Sequence, residues 1–237
     1  MPALGFEAML EPGVVKIAPS LLSADYGHLA AAAGEVTSVT DWLHLDVMDG
    51  HFVPNVTIGP PVVASLRRHS PAFFDCHLMM SNPQQFLKAF ADAGASSVTV
   101  HVEIGDTAAL VEEIHALGMK AGLACNPDTP LESAEPFLAG VDLLLLMTVF
   151  PGFGGQSFMH EVVPKIAAAR RLIDERGLRV AIEVDGGIAP GTVELTAAAG
   201  ARVFVAGSAV FSHERPFDAV VDLQRRAEEA VLAARRD

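Results

Sequence analysis

The sequence predicts an α/β fold of one domain, a (β/α)₈ TIM barrel, and three observations carry the prediction. Eight short apolar runs recur along the 237 residues. Amphipathic segments of helical length separate many of them. Polar residues fit for chemistry gather where the runs end. A chain of this length suits one such barrel, and 51% hydrophobic content is ample for a large core.

The runs are Val14–Ala18, Trp42–Val47, Phe73–Leu78, Ser97–His101, Met119–Ala124, Asp142–Thr148, Arg179–Val184 and Arg202–Ala206. Rich in Val, Ile, Leu and Phe, they read as strands covered on both faces. A helix over Pro83–Ala93 follows Ser81-Asn82, a capping pair with proline just inside. Thr107–Leu117 opens at Asp106 and stops at Gly118. His160–Glu175 stops near Gly177, and Gly191–Ala199 stops at Gly200. Ala219–Asp237 reads as a closing helix. Alternation at this spacing implies a parallel sheet, and a count of eight implies closure. Residues 1–13 are expected to be a flexible leader and 14–237 the catalytic barrel.

Composition narrows the function. A net charge of −13 argues against a nucleic-acid surface, which needs clustered Lys and Arg. It leaves room for a phosphorylated small molecule, because backbone N–H groups bind phosphate without a cation. MPALGFEAML lacks a basic start and is interrupted by Glu7, so no signal peptide is expected. No apolar run approaches the roughly 20 residues that span a membrane. Cys76 and Cys125 are far apart in sequence, and a reduced, cytoplasmic compartment is the simplest reading.

Active sites of such barrels lie at the C-terminal ends of the strands. His44 and Asp46 are two apart and project from one face of the second strand. His77 ends the third strand and Asp185 the seventh. Singly, such a His is more often a core residue and such an Asp a helix cap. Together, the four could ligate a divalent metal of the Zn, Mn, Fe or Co type. Burying them unpaired would cost several kcal/mol. His101 and Glu103, at the end of the fourth strand, suit partners of the ligands better than ligands.

A second constellation is rich in glycine. Gly152, Phe153, Gly154 and Gly155 follow the sixth strand, Gly186 and Gly187 the seventh, and Gly207 and Ser208 the eighth. Glycines let the backbone approach a ligand and offer N–H groups to phosphate oxygens. Ser20, after the first strand, is equally suited to bonding a ligand or capping a helix. Met48, Met79 and Met147 end strands near the same mouth, where methionine often fills core gaps.

The segments IAPSLLSAD, LHLDVMDGHFVPN, DCHLMM, MTVFPGFGGQSF, EVDGGI and VAGSAVF together resemble the ribulose-phosphate 3-epimerase family. The resemblance implies interconversion of D-ribulose 5-phosphate and D-xylulose 5-phosphate with one divalent metal ion. It implies His44, Asp46, His77 and Asp185 as ligands, with Asp46 as proton acceptor and Asp185 as donor in one direction. Ser20 and His77 would contact substrate, the three methionines would line its reacting end, and the glycine loops would hold its phosphate. Phe150 departs from the polar residue common at that position. A homo-oligomer, dimer or hexamer, is expected. The alternatives are a 3-epimerase of a hexulose phosphate such as D-allulose 6-phosphate, a phosphosugar lyase or decarboxylase, and a non-catalytic phosphate-binding module. A Schiff-base aldolase would need a lysine at a strand end, whereas Lys16 and Lys120 lie at strand starts.

Overall fold

The computed structural model describes residues 6–11 and 13–235. Eight strands form one parallel sheet: β1 (Lys16–Pro19), β2 (Trp42–Met48), β3 (Phe73–Met79), β4 (Ser97–His101), β5 (Lys120–Cys125), β6 (Leu143–Met147), β7 (Ala181–Asp185) and β8 (Val203–Ala206). From β2 to β8 each strand pairs with its sequence neighbour, and β1 pairs with β8. Ser20 closes the ring: its N–H donates to the Ala206 carbonyl at 3.0 Å, and it bridges to His44. The predicted TIM barrel is therefore the fold observed.

The helices are α1 (Phe6–Met9), α2 (Leu29–Val36), α3 (Pro60–Arg67), α4 (Leu87–Ala93), α5 (Thr107–Ala116), α6 (Val163–Glu175), α7 (Thr192–Ala199), α8 (Ser208–Phe211) and α9 (Pro216–Ala234). Their apolar faces meet the outward strand residues, such as Leu43, Leu45 and Val47, in one continuous core. The glycine stops hold: Gly94 and Gly200 end α4 and α7 in the left-handed conformation, at φ 90° and 119°. The capping signals are corrected. Neither Asn82 nor Asp106 bonds through its side chain to the helix that follows, and Pro83–Gln85 is a 3₁₀ turn before α4. Only 3₁₀ turns (Leu131–Ser133 and Glu135–Gly140) separate β5 from β6. Pro127, Pro130 and Pro136 fall in that stretch, where missing N–H groups oppose an α-helix.

Inward residues stack in strata along the barrel axis, as alternation in a closed sheet requires. At the N-terminal end, Trp42 stacks on Phe73 at 4.2 Å between ring centroids, and Phe6 of α1 lies 6.1 and 5.9 Å from them. Leu143, Ala181 and Val203 complete this apolar floor. Glu7 ties α1 down through Lys120 and Arg179. Of the expected leader, residues 1–5 and 12 lie outside the described residues. Phe6→Ala is expected to lower stability by about 3 kcal/mol, the usual cost of emptying a buried aromatic site, measured by urea unfolding.

Candidate active site

Above the apolar floor the interior turns polar. Register explains why: His44 pairs with Asp75 and Asp46 with His77 across β2 and β3, so each strand presents two polar residues inward. Thr99 and His101 on β4 repeat the spacing, as do Glu183 and Asp185 on β7. His44, His77, Asp75, Thr99, His101 and Glu183 are fully buried, Asp46 nearly so, and Asp185 keeps 17% of its side chain exposed.

His44, Asp46, His77 and Asp185 come together as the sequence suggested. One ligand-capable atom from each lies within 4.8 Å of all the others. His44 Nε2 is 3.5 Å from Asp46 Oδ1 and 4.0 Å from Asp185 Oδ2. His77 Nδ1 is 3.6 and 3.8 Å from the same two oxygens. These two ring nitrogens are buried and have no hydrogen-bond partner. Two orphaned imidazole nitrogens facing two carboxylates form a donor set that fits a divalent cation.

The surrounding groups fix the imidazole tautomers. His44 Nδ1 is 2.7 Å from Asp75 Oδ2, so in the neutral ring the proton sits there and Nε2 is the atom free to ligate. Without a cation, burial, which lowers the imidazole's pKa, is outweighed by Asp46 and Asp75, which raise it well above the usual range. For His77 the control is relayed. Glu103 accepts from the Asn126 N–H and the Thr129 hydroxyl, and burial, which would raise its pKa, is outweighed by these bonds and His101; it is held down at about 2. Its other oxygen is 3.0 Å from His101 Nδ1, which must donate. His101 Nε2, 2.8 Å from His77 Nε2, is then the acceptor and His77 the donor. His77 Nδ1 is left with a lone pair turned toward Asp46 and Asp185. Phe52 packs on His101 at 4.6 Å and keeps water from this relay.

The two aspartates differ in environment. Burial raises Asp46, but His44 and His77 outweigh it and hold the carboxyl well below the usual range. Ser20 Oγ also donates to Asp46 Oδ2 at 2.5 Å. Burial, then the neighbouring Asp46 charge, pushes Asp185 up to about 7. Carboxyls driven apart in this way are the usual mark of an acid and a base sharing one site. Of the two roles its sequence left open, the structure shows the cap: Ser20 Oγ also accepts from Leu22 N at 3.2 Å, at the start of a 3₁₀ turn.

A cleft opens above these carboxyls at the C-terminal ends of the strands. Ser20, Asp46, Met48, Met79, Met147 and Asp185 line its inner end. Gly152–Gly155, Gly186–Gly187 and Gly207–Ser208 line the outer. None of the described residues lining it is Lys or Arg, so an anion there would rely on N–H and hydroxyl groups. Gly186 and Gly187 hold φ of 119° and 65°; a Cβ on Gly187 would sit 2.7 Å from the Phe158 backbone. Only glycine fits such a close-packed turn. Neighbouring side chains hold the loops. Thr148 Oγ1 donates to the Asp185 and Gly186 carbonyls, Gln156 to those of Phe150 and Phe153, and Asn55 to that of Gly152. The Phe150 side chain, 47% exposed, is not among the cleft residues, so its departure from the family pattern leaves the cleft lining intact.

Four contributors escaped the sequence reading. Asp75 and Glu183 lie beneath the metal-like set, within 4.8 Å of His44. Their signal was present: each precedes a proposed site residue by two positions on its strand. Burial, then Asp75, raises Glu183 well above the usual range, so this pair carries one proton. Ser23 and Gln156 also line the cleft; they fall within the segments IAPSLLSAD and MTVFPGFGGQSF but were not singled out there as site residues.

A barrel with a paired-carboxyl cleft at its C-terminal mouth has the arrangement of an enzyme active site. A model described as the ribulose-phosphate 3 epimerase family matches residues 16–211. The chain is 44% identical to a cytoplasmic isoform of ribulose-phosphate 3-epimerase from Oryza sativa subsp. japonica, over 93% of this chain and 97% of that one. It is 48% identical to a ribulose-phosphate 3-epimerase of Mycobacterium tuberculosis, covering 91% and 94%. The chain belongs to the ribulose-phosphate 3 epimerase family and is an epimerase, of the isomerase class. Among solved structures, KGPDC from Streptococcus mutans superposes with a TM-score of 0.67 at 16% identity, covering 93% and 98%. A mutant tryptophan synthase alpha-subunit from Pyrococcus furiosus gives 0.64 at 17%, also covering 93% and 98%. These two show a shared barrel fold. Among the described residues, no helix is long and apolar enough to cross a membrane.

Proposed function

We propose that the chain interconverts D-ribulose 5-phosphate and D-xylulose 5-phosphate by removing the C3 proton on one face and returning it on the other. The observation that carries this reading is the convergence of Asp46 and Asp185, from β2 and β7, on one small site. A single carboxylate could only return the proton where it took it. Two are needed to invert the carbon, one as acceptor on one face and the other as donor on the opposite face.

His44, Asp46, His77 and Asp185 would hold one divalent ion of the Zn, Mn, Fe or Co type. When bound, such an ion supplies positive charge beside the substrate carbonyl, where negative charge develops as the proton leaves. The remaining work falls to the chain. Ser20 holds Asp46 in place, the Asp75 and Glu103–His101 contacts present both imidazoles in one tautomer, and the three methionines exclude water from the reacting end. The glycine loops anchor the phosphate and spend its binding energy on positioning. Glu103→Gln is expected to weaken affinity for zinc or manganese about 10- to 100-fold, read by competition with a chelating dye.

The same machinery would serve a hexulose phosphate, and pocket length decides between them. Rates on D-ribulose 5-phosphate and D-allulose 6-phosphate test this choice. The pentulose reading requires the first to have the larger kcat/KM, and a reversed ratio overturns it. A cytoplasmic location accords with the rice relative's printed name. A homodimer or hexamer completes the proposal.

A further inference from the structure

The opposite end of the barrel carries a second cavity, of about 430 Å³. It lies between the starts of β7 and β8, the C-terminal half of α6 and the end of α9. Arg170, Arg179, Arg202 and Arg235 line it, against two carboxylates, Glu11 and Asp174. These are four of only 16 basic residues in a chain of net charge −13, gathered around one hollow.

Their hydrogen bonds leave donors over. Arg170 gives Nη2 to Asp174 at 2.5 Å, but its Nε is buried without a partner. Arg202 gives Nη1 to the Ala197 and Ala201 carbonyls at 3.1 and 2.6 Å. Its Nε and Nη2 make no hydrogen bond among the described residues, and neither Arg202 nor Arg235 has a carboxylate partner among them. Arg179 is answered by Glu7 at 3.0 Å. Arg235 reaches back over Gly13, where a Cβ would come within 3.2 Å of its Nη1. Burial, then Arg170 and Arg235, lowers Arg202 to about 10, so the three guanidinium groups feel one another. Guanidinium donors left without partners on Arg202, and like charges crowded around one hollow and only partly answered by Asp174 and Glu7, both cost free energy. An oxyanion would relieve both, and the rigid guanidinium fork suits phosphate oxygens.

We propose that this cavity is a second anion site, separate from the catalytic cleft, for a ligand of the phosphate class carrying at least two negative charges. The space exceeds what one phosphate fills, and donors come from three separate elements. A bound anion would clamp α6, the turn leading into β8 and the end of α9 together, stabilising the folded chain by mass action.

The test is equilibrium dialysis of the full chain with radiolabelled inorganic pyrophosphate. It compares wild type with Arg235→Glu, Arg170→Gln and the double variant. Arg235 is exposed, so its variant should keep the fold, checked by circular dichroism. The double variant is expected to bind one pyrophosphate fewer per chain than wild type, whatever the cleft itself takes. Each single variant should weaken that site at least tenfold, with kcat for epimerisation unchanged. Equal stoichiometry and affinity in wild type and the folded Arg235→Glu variant would overturn the proposal.

Discussion

Asp185→Asn is expected to lower kcat for epimerisation by about 10³-fold, within the range one positioned acid or base contributes. KM should change little, because the cleft's glycine loops and methionines are untouched. The change keeps the side chain's shape but removes its capacity to exchange a proton. It also leaves one oxygen at the site shared with His44, Asp46 and His77, so metal content must be measured on the variant. Steady-state assay of the metal-loaded variant is the check, and near-normal turnover would sink the assignment of two acting carboxyls.

Chelation is expected to produce the second large loss. Stripping divalent ions should cut activity by about 10³-fold, since several kcal/mol of charge stabilisation disappear. Zinc, manganese, iron or cobalt should restore it. The expectation rests on two buried imidazole nitrogens without partners, His44 Nε2 and His77 Nδ1, each facing both carboxylates. The protein's own bonds fix which nitrogen of each ring faces the carboxylates. Full activity in a preparation shown by elemental analysis to be metal-free would refute the role.

Much of the barrel was legible in the sequence, for a physical reason. Parallel strands are buried on both faces, so each appears as a compact apolar run, and glycine marks helix ends where the backbone turns left-handed. Helix starts were less legible. Asn82 and Asp106 have the composition of caps, but their side chains do not bond to the helices that follow. The proline-rich stretch between β5 and β6 carries no α-helical signal because it forms none. At the site, Asp185 could be named because it ends its strand, and His44, Asp46 and His77 because each is a chemically able residue in an otherwise apolar run that leads to the mouth. Asp75 and Glu183 lie one pleat deeper than His77 and Asp185 on the same strands, where a polar residue looks anomalous until the opposite wall is known. The Glu103–His101–His77 relay was visible as a group of polar residues at strand ends. Its direction was not, because a tautomer depends on which atoms meet across β3 and β4.

The central claim is that Asp46 and Asp185 serve opposite faces of one carbon. Solvent exchange at C3 tests it most directly. In deuterium oxide, the metal-loaded wild type should label C3 of both epimers. Asp185→Asn should still wash deuterium into one of the two, added separately, while forming almost none of the other. Asp46→Asn should show the converse preference. Labelling of both epimers by either variant, or product formation at the wild-type rate, would contradict the account.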